Sequence, residues 1–225
     1  MMPQIDLAFR LTGTQPLPAD HGYTLYGAIS RLLPEAHREN GIAIHPIRGR
    51  IVGHRQMMLT EFSRLTLRVP DDRIADFLSL AGKPLRIGET SLRVGVPEVR
   101  PLIPAPALRS RLVTIKLKVV SEMPKDRDEE SRRLFKDSVR RKLDALGVSS
   151  EVEITIGKRH ALQIKHKEVV GYEVIVNGLD AEESVTIQEN GPPDNPHIGF
   201  ARQHMGCGVF VSFRSEIREE KRNEI

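Results

Sequence analysis

RPLIPAPALR, residues 100–109, is the stretch on which the fold turns. Pro101, Pro104 and Pro106 each fix φ and remove a backbone donor, so no helix or central strand runs through it and it reads as a stiff connector. A connector in the middle of a 225-residue chain asks for the two sides to be compared. Upstream, QIDLAFRLTG (4–13) alternates apolar and polar residues as far as Gly13, the pattern of a half-buried strand. From Asp20, Leu25, Ile29, Leu32 and Leu33 recur at helical spacing until Pro34, which predicts a helix over 21–33. GIAIHPI (41–47) and LTLRVP (65–70) read as two further strands. Asp71 and Asp72 cap a helix carrying Ile74, Phe77 and Leu78, and SLRVGVPEV (91–99) alternates as a fourth strand.

Downstream, SRLVTIKLKVV (110–120) is a long alternating strand, and Phe135, Val139, Leu143 and Leu146 mark an amphipathic helix ending at Gly147. EVEITIG (151–157) and ALQIKHKEVVGYEVIVNG (161–178) pair as a hairpin. A helical window at 181–188 starts at Asp180, and GCGVFVSF (206–213) closes the series as a strand. The order strand, helix, strand, strand, helix, strand thus occurs twice. It predicts an α+β fold of two tandem ferredoxin-like (RRM-like) domains with antiparallel sheets: residues 1–100, a Pro-rich linker at 101–108, and residues 109–225. A single mixed sheet with incidentally similar halves is the alternative.

Composition narrows the function. At 39% hydrophobic the chain buries a real core, and its 34 Lys and Arg against 30 Asp and Glu give a formal +4 that leans toward polyanions. With a single cysteine, Cys207, neither an internal disulfide nor a multi-cysteine metal site is expected, and Cys207 reads as packing. No apolar run reaches the ~18 residues of a membrane span and MMPQIDLAFR lacks a secretion signal, so a cytoplasmic protein without membrane attachment is expected. GxSxG and GxxxxGK[ST] are absent, and the histidines at 21, 37, 45, 54, 160, 166, 197 and 204 show no zinc-helix spacing. Neither a metal nor a cofactor is expected.

Four segments remain as candidates for chemistry. GIAIHPIRGR (41–50) ends a strand on His45, with Arg48 and Arg50 just beyond. GFARQHMGCGVF (199–210) holds Gly199, Arg202, His204, Gly206 and Gly208, a composition that lets a phosphate backbone come close or simply makes a tight turn. SRRLFKDSVRRKLDAL (131–146) carries Arg132, Arg133, Lys136, Arg140, Arg141 and Lys142, which suits a solvated helix face and an RNA groove equally. GKRHALQIKHK (157–167) gathers Lys158, Arg159, Lys165 and Lys167 on a basic hairpin. His54 follows Gly53 in a basic loop and could touch RNA. His21, at a helix start, is a second candidate base or a packing residue, and His37 reads as solvated. Aromatics make up 4% of the chain with no tryptophan, which favours recognition by shape and phosphate contact over base stacking.

GFARQHMGCGVF, the opening LPADHGYTLYGAISRLLPEAH (17–37) and HPIRG (45–49) together resemble the CRISPR repeat-processing endoribonuclease family, the Cas-six type, and within it the Myxan-like subtype. The resemblance implies two tandem ferredoxin-like domains and cleavage of CRISPR repeat RNA without metal, leaving crRNA with a 5′ hydroxyl and a cyclic phosphate. It implies that His45 is the general base. The family's helper tyrosine, aligned on Gly27, falls on Ser30 here, which leaves Tyr23 or Tyr26 to substitute, and Arg48 or Arg50 to stand for its lysine. Independently of the family, RNA carries its own nucleophile in the 2′ hydroxyl, so a base and cations suffice. Two other readings stay open: a non-catalytic crRNA-binding subunit working with other CRISPR interference-complex subunits, and a small-molecule-binding regulator of ferredoxin-like fold.

Overall fold

The computed structural model describes residues 3–34, 42–115, 127–165, 167–190 and 199–213. His37, His166, His197 and the expected strand continuation at 116–120 lie outside them. In chain order the first half contains β1 (Gln4–Thr12), β2 (Leu17–Pro18), α1 (Gly22–Leu32), β3 (Ala43–Ile44), β4 (Arg50–Gly53), β5 (Gln56–Met58), β6 (Arg64–Pro70), a 3₁₀ turn (Asp71–Arg73), α2 (Ile74–Leu78), β7 (Pro84–Ile87) and β8 (Thr90–Pro101). The second half contains β9 (Ala107–Val113), α3 (Arg127–Ala145), β10 (Glu153–Ile164), β11 (Lys167–Asn177), α4 (Ala181–Glu189), a 3₁₀ turn (Gln203–Met205) and β12 (Val211–Ser212).

The first sheet runs β3-β6-β1-β8-β7 and the second β10-β11-β9-β12, with all described pairings antiparallel. Leaving aside β7, the edge strand of a hairpin, both place the repeat's strands in the order two, three, one, four. That is the ferredoxin-like order, and the fold is a tandem of two such units. Leu7, Phe9, Leu25, Ile29, Leu65, Leu67 and Phe77 fill the first core, and Phe135, Val139, Leu143, Val174, Val176 and Phe210 the second. Truncating one of these phenyl groups to alanine costs about 3–5 kcal/mol.

Several boundaries differ from the sequence reading for identifiable reasons. β8 continues through Pro97 to Pro101, because its pairing with β1 is irregular between Phe9 and Leu11 and tolerates an imino acid. The basic loop expected around His54 is the turn of a hairpin over residues 50–58 that joins β2 in a small sheet ordered β2-β5-β4. Ile51 and Val52 on that hairpin are exposed, so no apolar alternation announces it. The expected final strand shrinks to Val211–Ser212, since Gly206 (φ 81°) and Gly208 (φ 64°) hold left-handed backbone that cannot join a ladder. The weak helical window after Asp180 is a full helix. The Asp180 carboxylate accepts from Glu183 N at 2.8 Å, and the Glu183 carboxylate accepts from Asp180 N at 3.0 Å.

One arginine ties the two units together. Asp6 on β1 and Arg68 on β6 are directly opposed across the ladder. Arg68 is 1% exposed and grips both oxygens of Asp6, Nε to Oδ1 at 2.8 Å and Nη2 to Oδ2 at 3.0 Å. Its Nη1 reaches into the other half, donating to the carbonyls of Gln188 at 2.8 Å and Phe210 at 3.0 Å. The end of α4 and the start of β12 are thereby pinned against the first sheet. Gly206 adds a second junction: a Cβ built there would lie 2.8 Å from Pro46 Cγ, so a side chain would push the second unit off the segment that carries His45.

Candidate active-site cleft

β3 ends at Ile44, yet His45 N still donates to Thr66 O at 2.9 Å, so the ladder runs one residue further before Pro46 stops it. The His45 side chain, 14% exposed, therefore leaves from the very end of the sheet. Its Nε2 lies 3.4 Å from Asp6 Oδ1, too long for a good hydrogen bond, and this nitrogen is enclosed without a bonding partner. It faces a carboxylate whose oxygens are already committed to Arg68. Burial would raise the Asp6 carboxyl, but the adjacent His45 and Arg68 override it and hold that group well below the usual carboxylate range. Burial pushes His45 below the ordinary imidazole value. Asp6 opposes that shift, while Arg68 and Arg48 add to it. The shift favours the neutral imidazole.

His45 lines two adjoining hollows. One, of about 690 Å³, has Arg48, Arg64 and Arg100 among its cations and Phe62, Val99 and Ile103 as apolar members. The other, of about 450 Å³, brings Arg48, Arg109 and Arg111 together with Pro46 and Gly206 at the junction of the two units. Arg109 is engaged with Glu173 and lies over the Phe213 ring at 5.4 Å. Arg48 and Arg111 are exposed and form no ion pair among the described residues. Two guanidinium groups in no ion pair among the described residues, beside an imidazole whose neutral form burial favours, make a cleft suited to a phosphodiester. Among the described residues, no three His, Cys, Asp or Glu side chains converge as a metal site.

The other sequence candidates are dispersed. Tyr23 and Tyr26 do not line either hollow on His45, and the Tyr26 ring lies tilted against that of His204, 4.5 Å between centroids. The Ser30 hydroxyl is buried. Arg50 and His54 lie on the exposed hairpin, where His54 takes φ 44° at the turn. On α3, Arg132 bonds the carbonyls of Ile156 and Gly157 and covers Tyr172. Arg133 pairs with Glu130, and Arg140 holds Asp144 and the Val148 carbonyl. Of that helix's cations, Lys136 stands exposed beside a shallow hollow away from His45. Lys158, Arg159 and Lys165 are exposed on the β10–β11 hairpin, and Arg159 shares a hollow of about 330 Å³ with Arg55, Arg111 and His160.

In the glycine segment, Gly199 packs on Asn190, Gly206 on Pro46 and Gly208 on Phe200, so the close approach these residues permit is to protein. Arg202 turns back to Thr114 Oγ1 at 3.0 Å. His21, the second candidate base, is sealed: its Nδ1 lies 2.9 Å from Pro18 O and its Nε2 3.0 Å from Ile47 N. A backbone N–H only donates and a carbonyl only accepts, so its tautomer is fixed with the proton on Nδ1. Sequence reasoning passed over Asp6, Arg68, Arg111 and Phe62. A signal for the first two exists: Asp6 lies between Ile5 and Leu7 and Arg68 between Leu67 and Val69, charges of opposite sign each flanked by apolar residues in a strand.

Fold and cleft together define a class: tandem ferredoxin-like proteins with a histidine and arginines on a cleft at the junction of the units. A sequence profile described as Cas6 Crispr matches residues 5–215. The chain is 35% identical over 211 residues to the CRISPR-associated endonuclease Cas6 of Myxococcus xanthus (strain DK1622), a match spanning 94% of this chain and 82% of that protein. It therefore belongs to the Cas6 family. Among solved structures, a CRISPR associated protein Cas6 superposes with a TM-score of 0.60 at 15% identity, over 94% of this chain and 99% of that one. A RAMP protein binding different RNA substrates superposes with the same TM-score of 0.60, at 15% identity and over 94% and 100% of the two chains.

Proposed function

We propose that this protein is an endoribonuclease that cuts CRISPR repeat RNA, with the ribose 2′ oxygen as nucleophile and His45 as the general base. The observation that carries the reading is the placement of His45, neutral and backed by Asp6, on the wall of a cleft it shares with unpaired Arg48. A proton on the enclosed Nε2 faces the carboxylate, which leaves the lone pair on Nδ1. That lone pair takes the 2′ proton as the 2′ oxygen bonds to phosphorus. The bond from phosphorus to the 5′ oxygen breaks, the leaving oxygen is protonated from solvent, and the products carry a 2′,3′-cyclic phosphate and a 5′ hydroxyl. Arg48 and Arg111 hold the phosphate oxygens as charge builds on them. No metal takes part, and RNA lies across both ferredoxin-like units.

The relationship to a named CRISPR endonuclease and to an RNA-binding structure supports the substrate class. The test is incubation with CRISPR repeat RNA in EDTA, with the product ends mapped. Cleavage to those two termini is expected, and its loss in EDTA would refute the metal-free route. A second reading, a subunit that holds crRNA without cutting, is favoured by one observation: neither Tyr23 nor Tyr26 reaches the cleft. His45→Ala separates the two, since a binder keeps all its measured properties without the imidazole.

A further inference from the structure

The cleft contains a feature that cutting by itself does not use. Phe62 is 77% exposed, whereas Phe9, Phe77, Phe135, Phe200 and Phe210 are all buried. It lines the same hollow as His45, Arg48, Arg64 and Arg100, facing a chamber whose other apolar members include Val99 and Ile103, exposed by 52% and 66%. A wholly apolar groove would suit a peptide, and a wholly cationic one a bare phosphate. Arg100 is held by Glu98, which lines the same hollow, but Arg48 and Arg64 are in no ion pair among the described residues. A chamber that joins an exposed phenyl ring to such guanidinium groups matches a nucleotide, with a flat π face attached to an anion.

Phe62 is also held in place. It sits in the turn between β5 and β6, where Ser63 Oγ accepts from Thr60 N at 2.8 Å and donates to Arg48 O at 2.6 Å. Arg64 Nη1 closes the same turn on Glu61 O at 2.6 Å. One hydroxyl thus fixes the ring's turn against the backbone of Arg48, three residues beyond His45. A solvent-exposed phenyl on a braced turn, coupled to a phosphate-binding residue, is preorganised for a partner.

Resting on the reading that RNA occupies this cleft, we propose that Phe62 is a stacking platform for one unpaired nucleobase beside the phosphate presented to His45. The repeat must then be single-stranded at that nucleotide. The stacked base sets the register of the strand, so Phe62 acts as a positioning and specificity residue.

The experiment uses repeat RNA made non-cleavable by one 2′-deoxy nucleotide at the attacking position, with 2-aminopurine placed in turn at each nucleotide flanking the scissile phosphate. Wild-type protein is expected to change the fluorescence at one position markedly more than at its neighbours. Phe62→Ala and Phe62→Leu lose that change and bind about tenfold more weakly, while Phe62→Tyr keeps both. An abasic site at the same nucleotide weakens wild-type binding equally and brings wild type and Phe62→Ala level. Unaltered RNA binding and fluorescence in Phe62→Ala and Phe62→Leu would overturn the proposal, as for a ring that docks another protein. An alanine defect that persists against the abasic RNA would overturn it too. If wild type binds no repeat RNA, the underlying reading fails as well, whereas tight binding with no Phe62 dependence defeats this inference alone.

Discussion

His21 and His45 both meet the short segment at 45–47, yet one is locked and the other is available. Both ring nitrogens of His21 are spent on backbone groups, and burial holds the ring neutral. His45 has one nitrogen turned to a carboxylate that Arg68 already occupies, and no hydrogen bond fixes its other nitrogen among the described residues. The difference teaches that burial and a lowered pKa do not make a base. The proposed base is instead the ring with an uncommitted lone pair on the wall of the cleft.

The strongest way to break this comparison is to remove each ring. His45→Ala is expected to slow repeat cleavage by about 10²- to 10⁴-fold with folding intact. Its unfolding curve and single-turnover rates check both halves of that statement. Exchanging Arg68 for methionine strands the Asp6 carboxylate and releases two carbonyls of the second unit. A loss of about 3–5 kcal/mol in urea unfolding is expected, because breaking a buried pair leaves an uncompensated charge. His21→Ala orphans the Ile47 N–H and the Pro18 carbonyl, a loss of about 1–3 kcal/mol for each group that stays buried and unpaired. Its cleavage rate per folded molecule should match wild type, and a rate defect as deep as that of His45→Ala would erase the distinction drawn here.

Asp6→Asn sharpens the comparison through pH. The carboxylate favours the imidazolium form of His45, so removing its charge lowers the histidine's pKa further. A general base works once deprotonated, and the acidic limb of the kcat/KM profile should therefore move to lower pH. A move to higher pH would contradict the assignment. The smallest effect separates the two groups of arginines. Arg111→Ala should reduce the slope of log binding against log salt by about 1, while Arg133→Ala, already paired with Glu130 on α3, leaves it unchanged.

Much of this architecture is legible in the chain. Pro104 and Pro106, with strand and helix periods on either side, give the tandem fold, because those patterns record which faces are buried. His45 is reachable only through likeness to HPIRG, since a lone histidine at a strand end carries no periodic signal. What stayed hidden depends on contacts distant in sequence. Arg140 looks like an RNA ligand until Val148 and Asp144 are seen to occupy it, and Gly206 looks like a phosphate turn until Pro46 is found against it. Phe62 was obscured by a global count: few aromatics argued against stacking, although one exposed ring in the right cleft is enough.

The most direct test gives the wild-type protein two versions of the repeat RNA differing by one oxygen, the 2′ hydroxyl next to the scissile phosphate. Equal binding of both, with cleavage of the hydroxyl-bearing RNA alone, is the expected result. A cut at that same bond in the deoxy-substituted RNA would mean that another nucleophile attacks, and the role given to His45 would fall.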